Sequence, residues 1–94
     1  MKVRWLLKAV NDLEDLHEYI AADDLTAASR QLELILNAAA RLSENTNMGR
    51  PGRVKGTREL VIPKTPYIAA YRIKGDIVEI LRVLHGARKW PKRF

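Results

Sequence analysis

The sequence predicts an α+β fold in which a helical hairpin packs on one face of a small, mainly antiparallel sheet, in the order β-α-α-β-β-β. Two adjoining segments near the amino end repeat apolar residues at the spacing of an α-helix. Three later segments are short, rich in β-branched and aromatic residues, and separated by turn residues. One sheet covered on one side by the hairpin is the simplest way to bury both helical stripes.

The first two elements are a strand and an amphipathic helix. The segment KVRWL, residues 2–6, is rich in strand-forming residues and predicts the first strand. From Lys8 the period changes, which predicts a helix over residues 8–22. Its apolar stripe consists of Ala9, Leu13, Leu16 and Ile20, with acidic residues between them.

A second helix is predicted over residues 25–43, directly after Asp23 and Asp24, whose side-chain oxygens can cap its first turn. Two helices joined this closely form an antiparallel hairpin. The apolar stripe of the second helix consists of Ala28, Leu32, Ile35, Ala39 and Leu42. The next stretch, SENTNMGRPGRVKG at residues 43–56, is rich in glycine and contains proline, so it is predicted to be a basic loop.

Three strands are predicted in the second half: TRELVI at 57–62, PYIAAYRI at 66–73 and IVEILRVLH at 77–85. Lys74-Gly75-Asp76 joins the last two as a tight hairpin, because glycine accepts the backbone angle that such a turn requires. The two-residue period places Tyr67 and Tyr71 on one face of the middle strand and Arg72 on the other.

Length and composition limit the classes of protein that fit. The chain has 94 residues and is expected to be a single domain spanning 1–94. No apolar run approaches the roughly 20 residues of a membrane helix, and the amino end lacks a signal-peptide core, so a cytoplasmic protein without a membrane partner is expected. The absence of cysteine rules out disulfides, thiol nucleophiles and cysteine zinc sites.

Charge is distributed unevenly along the chain. The net charge is +6, but residues 1–48 hold five Lys/Arg against eight Asp/Glu, whereas residues 49–94 hold twelve against three. The second half is therefore strongly basic. A surface of one sign accelerates encounters with a partner of the opposite sign, which predicts an anionic partner such as a nucleic acid or an acidic polypeptide.

Residues suited to catalysis are few. Only two histidines occur, and His17 lies beside the apolar stripe of the first helix, where a structural or exposed role is expected. A metal site needs several converging ligands, and the two histidines have no evident carboxylate companions in the basic half, so no metal site and no cofactor are expected. The glycine-rich Gly49-Arg50-Pro51-Gly52 lacks the lysine-serine ending of a phosphate loop.

The basic and aromatic residues of the second half predict a binding surface. Arginine can hold a phosphate or a carboxylate by two bonds, and a tryptophan can stack on a base or anchor a partner's apolar side chain. The candidate residues for binding a target or a partner are Arg50, Arg53, Tyr67, Tyr71, Arg82, Lys89 and Trp90. Their spacing alone does not identify the ligand.

The order of elements and the motifs GRPGRVKGTRELVI, TPYIAAYRI and VEILRVLHGARKWP resemble the RelE/ParE superfamily, the toxins of bacterial type II toxin-antitoxin modules. The helical segment 7–35 is similar to their hairpin, so the resemblance covers nearly the whole chain. It implies a toxin that arrests growth until a cognate antitoxin binds it in a hetero-oligomer. It also implies that the end of the last strand lines the surface used for activity or antitoxin binding.

The superfamily divides by target. RelE-type members cleave mRNA on the ribosome, whereas ParE-type members inhibit DNA gyrase. RelE-like nucleases carry an arginine after the first tyrosine of the middle-strand motif, where this chain has Ile68, and a lysine pair one strand earlier, where it has Arg58 and Glu59. The resemblance is therefore closer to ParE. For the alternative, mRNA cleavage, the candidate catalytic residues are His85, Arg58, Arg72 and Arg88.

A non-toxic nucleic-acid-binding module is a further alternative, because the basic half alone would suffice for it. However, no helix-turn-helix pattern is evident. Both long helices also carry acidic outer faces, which phosphate would repel.

Overall fold

In the computed structural model, which describes residues 1–94, two helices pack on one face of a five-stranded sheet. The strands lie in the order β1-β5-β4-β3-β2; β1 is parallel to β5 and all other neighbours are antiparallel. The predicted fold class is confirmed. The elements are β1 (Lys2–Trp5), α1 (Leu7–Ala21), α2 (Leu25–Ala40), a 3-10 turn (Arg41–Ser43), β2 (Arg50–Pro51), β3 (Arg58–Val61), β4 (Tyr67–Lys74) and β5 (Ile77–His85).

The segment between α2 and β3 differs from its prediction. The predicted basic loop contains the short edge strand β2, in which Arg50 pairs with Glu59 and Pro51 with Arg58. Proline is tolerated here because an edge strand leaves one side of its backbone unpaired. The second helix ends at Ala40, three residues earlier than predicted, because the chain then tightens into the 3-10 turn.

Two predicted local features are confirmed. The carboxylate of Asp24 accepts a hydrogen bond of 3.0 Å from the backbone N–H of Ala27 and so caps α2. Gly75 has φ of 62° in the two-residue turn between β4 and β5, a conformation that other residues adopt only with strain.

The core lies between the helical hairpin and one face of the sheet. Both predicted helical stripes point into it: Ala9 and Leu16 of α1 and Ile35 and Ala39 of α2 are buried. The sheet contributes alternate residues of its strands, because successive side chains of a strand point to opposite faces. The buried strand residues of this cluster are Leu60, Tyr67, Ala69, Tyr71, Val78, Ile80 and Val83.

A β-bulge interrupts the alternation on β5. Ala70 pairs with Arg82, whereas the next residue, Tyr71, pairs with Ile80, so Leu81 is the extra residue. Because of this insertion, Ile80 and Val83 both face the core although they are three positions apart. Beyond Ile80, β1 no longer pairs with β5, and this edge of β5 faces α1 instead of another strand.

The face of the sheet that carries no helix, called here the open face, also holds buried apolar residues. Ile68, Ala70 and Leu81 are at most 6% exposed. The segment after β5 folds back beside them: the N–H of Gly86 donates to the Pro66 carbonyl, and a Cβ added at Gly86 would lie 3.2 Å from Ile68. The chain thus shields part of this face itself. Neither helix has the length and hydropathy needed to cross a membrane.

Candidate functional site

A half-enclosed cavity of about 400 Å³ lies between α1 and the end of β5. It is called here the His85 pocket. Its wall combines cations, carboxylates and aromatic rings: Asp12, Asp15, Leu16, Tyr19, Tyr67, Arg82, Val83, Leu84, His85, Arg88 and Lys89. The cavity exists because β1 stops at Trp5, so that beyond Ile80 the edge of β5 faces α1 instead of another strand.

His85 and Tyr67 meet at one side of this pocket. They are paired across β4 and β5, and their rings form an edge-to-face contact with centroids 5.7 Å apart. Nδ1 of His85 accepts a hydrogen bond of 3.1 Å from the N–H of Ala87, so the proton of the neutral ring lies on Nε2. Burial raises the pKa of Tyr67, an effect that the nearby Arg88 opposes, and the phenol therefore stays protonated at neutral pH.

Arg82 is anchored to α1 by Asp12. The Asp12 carboxylate accepts bonds of 2.8 and 3.0 Å from the Arg82 guanidinium and one of 2.9 Å from the N–H of Val83. The hydrogen bond from Arg82 to Asp12 raises the pKa of the guanidinium. Asp12 thereby gives the N–H of Val83, on the unpaired edge of β5, a hydrogen-bond partner. It also holds one wall of the His85 pocket in place.

The mouth of the His85 pocket is basic and exposed. Arg88 and Lys89 are both exposed, and no carboxylate forms an ion pair with either of them. The Arg88 guanidinium lies 5.9 Å from the ring of Tyr19, which is 70% exposed on α1. Two unpaired cations beside two aromatic rings are suited to hold an anionic group or a carboxylate-bearing peptide.

A second cluster lies on the open face around Glu59. Its carboxylate is 3% exposed and accepts five hydrogen bonds from Arg50 and Arg53, including one of 2.8 Å from the N–H of Arg53. Burial alone would raise the pKa of Glu59, but the hydrogen bonds from Arg53 and Arg50 outweigh burial and lower it. The carboxylate therefore stays ionised and joins β2 and its loop to β3.

Trp90 is connected to the same cluster. The Arg53 guanidinium lies 3.7 Å from the centroid of the indole, and Nε1 of Trp90 donates to the His85 carbonyl. One guanidinium thus contacts both Glu59 and the indole, which fixes the segment after β5 against the open face. Trp90 is half-buried, so one side of its ring is already occupied within the chain.

The structure brings together part of the predicted set. Five of those residues line the His85 pocket: Tyr67, Arg82, His85, Arg88 and Lys89. Arg50, Arg53 and Trp90 gather instead around Glu59 on the open face.

Arg58 and Arg72 do not join His85. Arg58 donates to the carbonyls of Asn47 and Gly49 and stabilises the loop before β2. Arg72 pairs with Glu79 at 2.7 Å. His85 lies opposite Tyr67, and Arg72 is five residues further along β4 than Tyr67. At about 3.4 Å per strand residue, Arg72 is therefore about 17 Å from the position of His85 along the sheet. The four candidate catalytic residues therefore do not form one constellation.

Tyr71, a candidate for binding, lies in the core. It is 0% exposed because β4 is the central strand and this face of it is covered by the helices. Its hydroxyl accepts from the N–H of Gly49 at 2.9 Å and donates to the Thr46 carbonyl at 2.7 Å. A partner cannot contact this side chain in the present conformation, and its role here is to tether the loop.

Asp12, Tyr19 and Glu59 were not among the predicted site residues. The helical period could have identified Asp12. It lies three positions after the buried Ala9 and four before the buried Leu16, and therefore on the side of α1 that packs on the sheet. For Glu59 the only signal was a carboxylate inside a predicted strand. Tyr19 gave none. No group of three or more histidine or carboxylate side chains is placed to hold a metal ion.

Comparison with known proteins gives a consistent result. Residues 3–90 match the family described as "ParE toxin of type II toxin-antitoxin system, parDE". The chain is 46% identical over 91 residues to "Putative toxin Y4kP" of Sinorhizobium fredii (strain NBRC 101917 / NGR234), covering 97% of this chain and 94% of that protein. It is 31% identical over 87 residues to "Toxin RelE2" of Caulobacter vibrioides, covering 93% and 97% of the two chains.

Solved structures show the same relationship. A chain from the structure titled "Chromosomal ParDE TA system from P. aeruginosa" superimposes with a TM-score of 0.81 at 30% sequence identity. The match covers 88% of this chain and 92% of that one. It therefore includes the helical hairpin and the sheet together.

Proposed function

Because the chain belongs to the ParE toxin family of type II toxin-antitoxin systems, we propose that it arrests bacterial growth by inhibiting DNA gyrase and that a cognate antitoxin neutralises it. The proposed place of action is the bacterial cytoplasm, where gyrase acts on DNA. The observation that carries the proposal is the ParE family match over residues 3–90, which includes every helix and strand apart from Lys2.

The arrangement of the sheet cations supports a mode of action without RNA cleavage. Cleaving RNA without a metal requires cations around the phosphorane in addition to an acid and a base. Arg58 is engaged by loop carbonyls, and Arg72 by Glu79. Neither guanidinium lies beside His85. Binding and blocking a protein requires no such convergence.

The surface proposed for contact with gyrase is the mouth of the His85 pocket. Arg88 and Lys89 are exposed there, and Tyr19 adds an exposed aromatic ring of the kind that concentrates binding energy at protein interfaces. The Asp12–Arg82 pair fixes the wall behind them. An ordered wall lowers the entropy lost on binding.

The antitoxin is proposed to bind as a hetero-oligomeric partner through an acidic or amphipathic segment. Residues 49–94 carry nine more cations than anions, which attract such a segment. Of the three aromatic residues considered for this contact, Tyr67 and Tyr71 are buried, so Trp90 is the one that a partner can reach. An antitoxin that covered Trp90 would also cover Arg53.

Ribosome-dependent mRNA cleavage is a second candidate function, and the contact between His85 and Tyr67 favours it. His85 and Tyr67 adjoin in the same pocket as Arg88, so a base, an acid and a cation are all present within it. In that mechanism His85 would take the proton of the 2′-hydroxyl on Nδ1, which requires that this nitrogen give up its hydrogen bond from the Ala87 N–H, and Tyr67 would protonate the leaving oxygen. The similarity to "Toxin RelE2" is compatible with this alternative.

Expression in bacteria tests the proposed function. The chain is expressed alone and together with the small open reading frame that adjoins it. We expect growth arrest in the first case and rescue in the second. Plasmid DNA from arrested cells should be less negatively supercoiled, because gyrase maintains supercoiling. Normal growth in both cases would contradict the toxin assignment, and arrest with normal supercoiling would contradict the gyrase target.

A further inference from the structure

Six cations project from the open face of the sheet, and three of them, Lys2, Arg4 and Lys74, form none of the contacts described above. Lys2 and Arg4 of β1 alternate with Val3 and Trp5, which pack on the core, so they point to the open face. By the same alternation Arg72 and Lys74 of β4 point there, and Arg50 and Arg53 surround Glu59. The open-face cations are Lys2, Arg4, Arg50, Arg53, Arg72 and Lys74.

Strand register arranges four of these cations in two rows. Arg4 lies opposite Glu79, which lies opposite Arg72; Lys2 lies opposite Ile77, which lies opposite Lys74. Neighbouring strands are about 4.8 Å apart and alternate residues about 6.8 Å apart, so the four cations mark the corners of a rectangle of roughly 10 by 7 Å. Arg50 and Arg53 extend this positive surface toward the β2 edge.

Two buried carboxylates hold the arginines in place. Glu79 is 6% exposed and accepts from Nε of Arg72 at 2.7 Å, as Glu59 does from Arg50 and Arg53. The hydrogen bond from Arg72 lowers the pKa of Glu79. Because Arg72 uses Nε for this bond, its two terminal nitrogens remain available for an oxyanion. Six cations and two anions leave a net charge of +4 on this face.

The shape of the surface limits what it can bind. None of the principal cavities lies over the two rows, and the apolar side chain between Lys2 and Lys74, that of Ile77, is only partly exposed. A protein partner needs apolar anchors at the centre of its interface, and Trp90, the anchor proposed for the antitoxin, lies with Arg53 and Glu59 outside the two rows. A single-stranded nucleic acid needs exposed aromatic rings for its bases; no aromatic ring lies between the two rows, and one face of the half-buried Trp90 ring is already covered by Arg53. A duplex needs only cations matched to its phosphates.

We propose that the open-face cations bind the phosphate backbone of duplex DNA without sequence preference. This binding goes beyond gyrase inhibition and does not depend on it, because the two surfaces differ. The His85 pocket lies at the α1 side of β5, whereas Lys2, Arg4 and Lys74 lie on the face that carries no helix. A toxin held on DNA in this way would meet any DNA-bound target with its His85 pocket unobstructed.

The test is duplex binding measured by fluorescence anisotropy with the full chain. Two unrelated 20-base-pair duplexes, a single-stranded oligonucleotide and poly-glutamate are the probes, over a range of salt concentrations. The double variant Lys2→Gln/Lys74→Gln should lower the slope of log Kd against log salt by about 1.8, since each phosphate contact contributes about 0.9. The two duplexes should bind equally.

Lys8→Gln/Arg30→Gln is the matched control, because it removes the same charge from exposed positions of the helices. This control should leave the slope unchanged. An equal loss of slope in both variants would show that only net charge matters and would overturn the proposal. Displacement of the duplex by poly-glutamate at equal charge would indicate that the ligand is an acidic polypeptide. Tighter binding of the single strand would indicate that the ligand is an unpaired nucleic acid. Either result would overturn the proposal. Supercoiling inhibition by the Lys2/Lys74 variant is scored separately, so that failure of DNA binding is distinguished from failure of the gyrase assignment.

Discussion

Replacing Tyr71 by phenylalanine is expected to destabilise the protein by about 2–3 kcal/mol, because the buried N–H of Gly49 and the partly buried carbonyl of Thr46 each lose their partner, and an unpaired buried group costs about 1–3 kcal/mol. The hydroxyl of this fully buried residue connects the Gly49 N–H to the Thr46 carbonyl. The Tyr71 side chain fits closely against this backbone, since a Cβ added at Gly49 would lie 2.7 Å from both its ring and its hydroxyl. Small domains have only about 5–15 kcal/mol of stability in total.

Urea unfolding of the wild type and the Tyr71→Phe variant measures this loss, with Tyr19→Phe as the control. Tyr19 is 70% exposed, and its hydroxyl makes no hydrogen bond within the chain, so its free energy of unfolding should change by less than about 0.5 kcal/mol. Equal stability of the Tyr71→Phe variant and the wild type would show that the hydroxyl does not tether the loop.

Replacing Asp12 by alanine is expected to cost about 2–3 kcal/mol and to weaken toxin activity as well. The Asp12 carboxylate accepts three hydrogen bonds, from the Arg82 side chain and the Val83 N–H. Removing one partner of a largely buried ion pair leaves the other charge uncompensated. We place the value below that of a fully buried pair because the side chains of Arg82 and Asp12 are 24% and 14% exposed.

Thermal unfolding checks the Asp12 prediction, with Asp15→Ala as the matched control. Asp15 lies three positions after Asp12 on α1 and is exposed. Its replacement removes the same charge without removing a hydrogen bond to β5. The Asp12 variant should melt about 10 °C or more below the wild type, since about 1 kcal/mol corresponds to 4–8 °C in a domain of this size. A similar melting temperature for the two variants would mean that charge alone, and not the bonds to β5, determines the effect.

Local patterns were enough to predict the fold class. The stripes of α1 and α2, the Asp24 cap and the Gly75 turn each depend on residues a few positions apart, and all of them are present in the structure. The charge split predicted a basic second half, which supplies Arg50, Arg53, Arg72 and Lys74 of the open-face cations; Lys2 and Arg4 come from the acidic first half and were not predicted.

Non-local contacts explain the differences. The β-bulge at Leu81 and the pairing of Tyr67 with His85 depend on strand register, which alternation within one strand does not reveal. That register separates Arg58 and Arg72 from His85, although all of them were candidates for one catalytic set. Asp12 reaches Arg82 across 70 positions of sequence, so its role becomes apparent only once α1 lies against β5.

The central claim, that this ParE-family toxin inhibits gyrase, is tested most directly by adding the purified chain in parallel to a gyrase supercoiling assay and to ribosomes programmed with mRNA. His85→Ala is assayed beside the wild type, with His17→Ala as the control, since His17 lies outside the His85 pocket on α1. We expect the wild-type chain to inhibit supercoiling and to leave the mRNA intact. Codon-phased cuts in the mRNA that disappear in His85→Ala and persist in His17→Ala, with supercoiling unaffected, would contradict the claim and identify His85 as an acid-base catalyst.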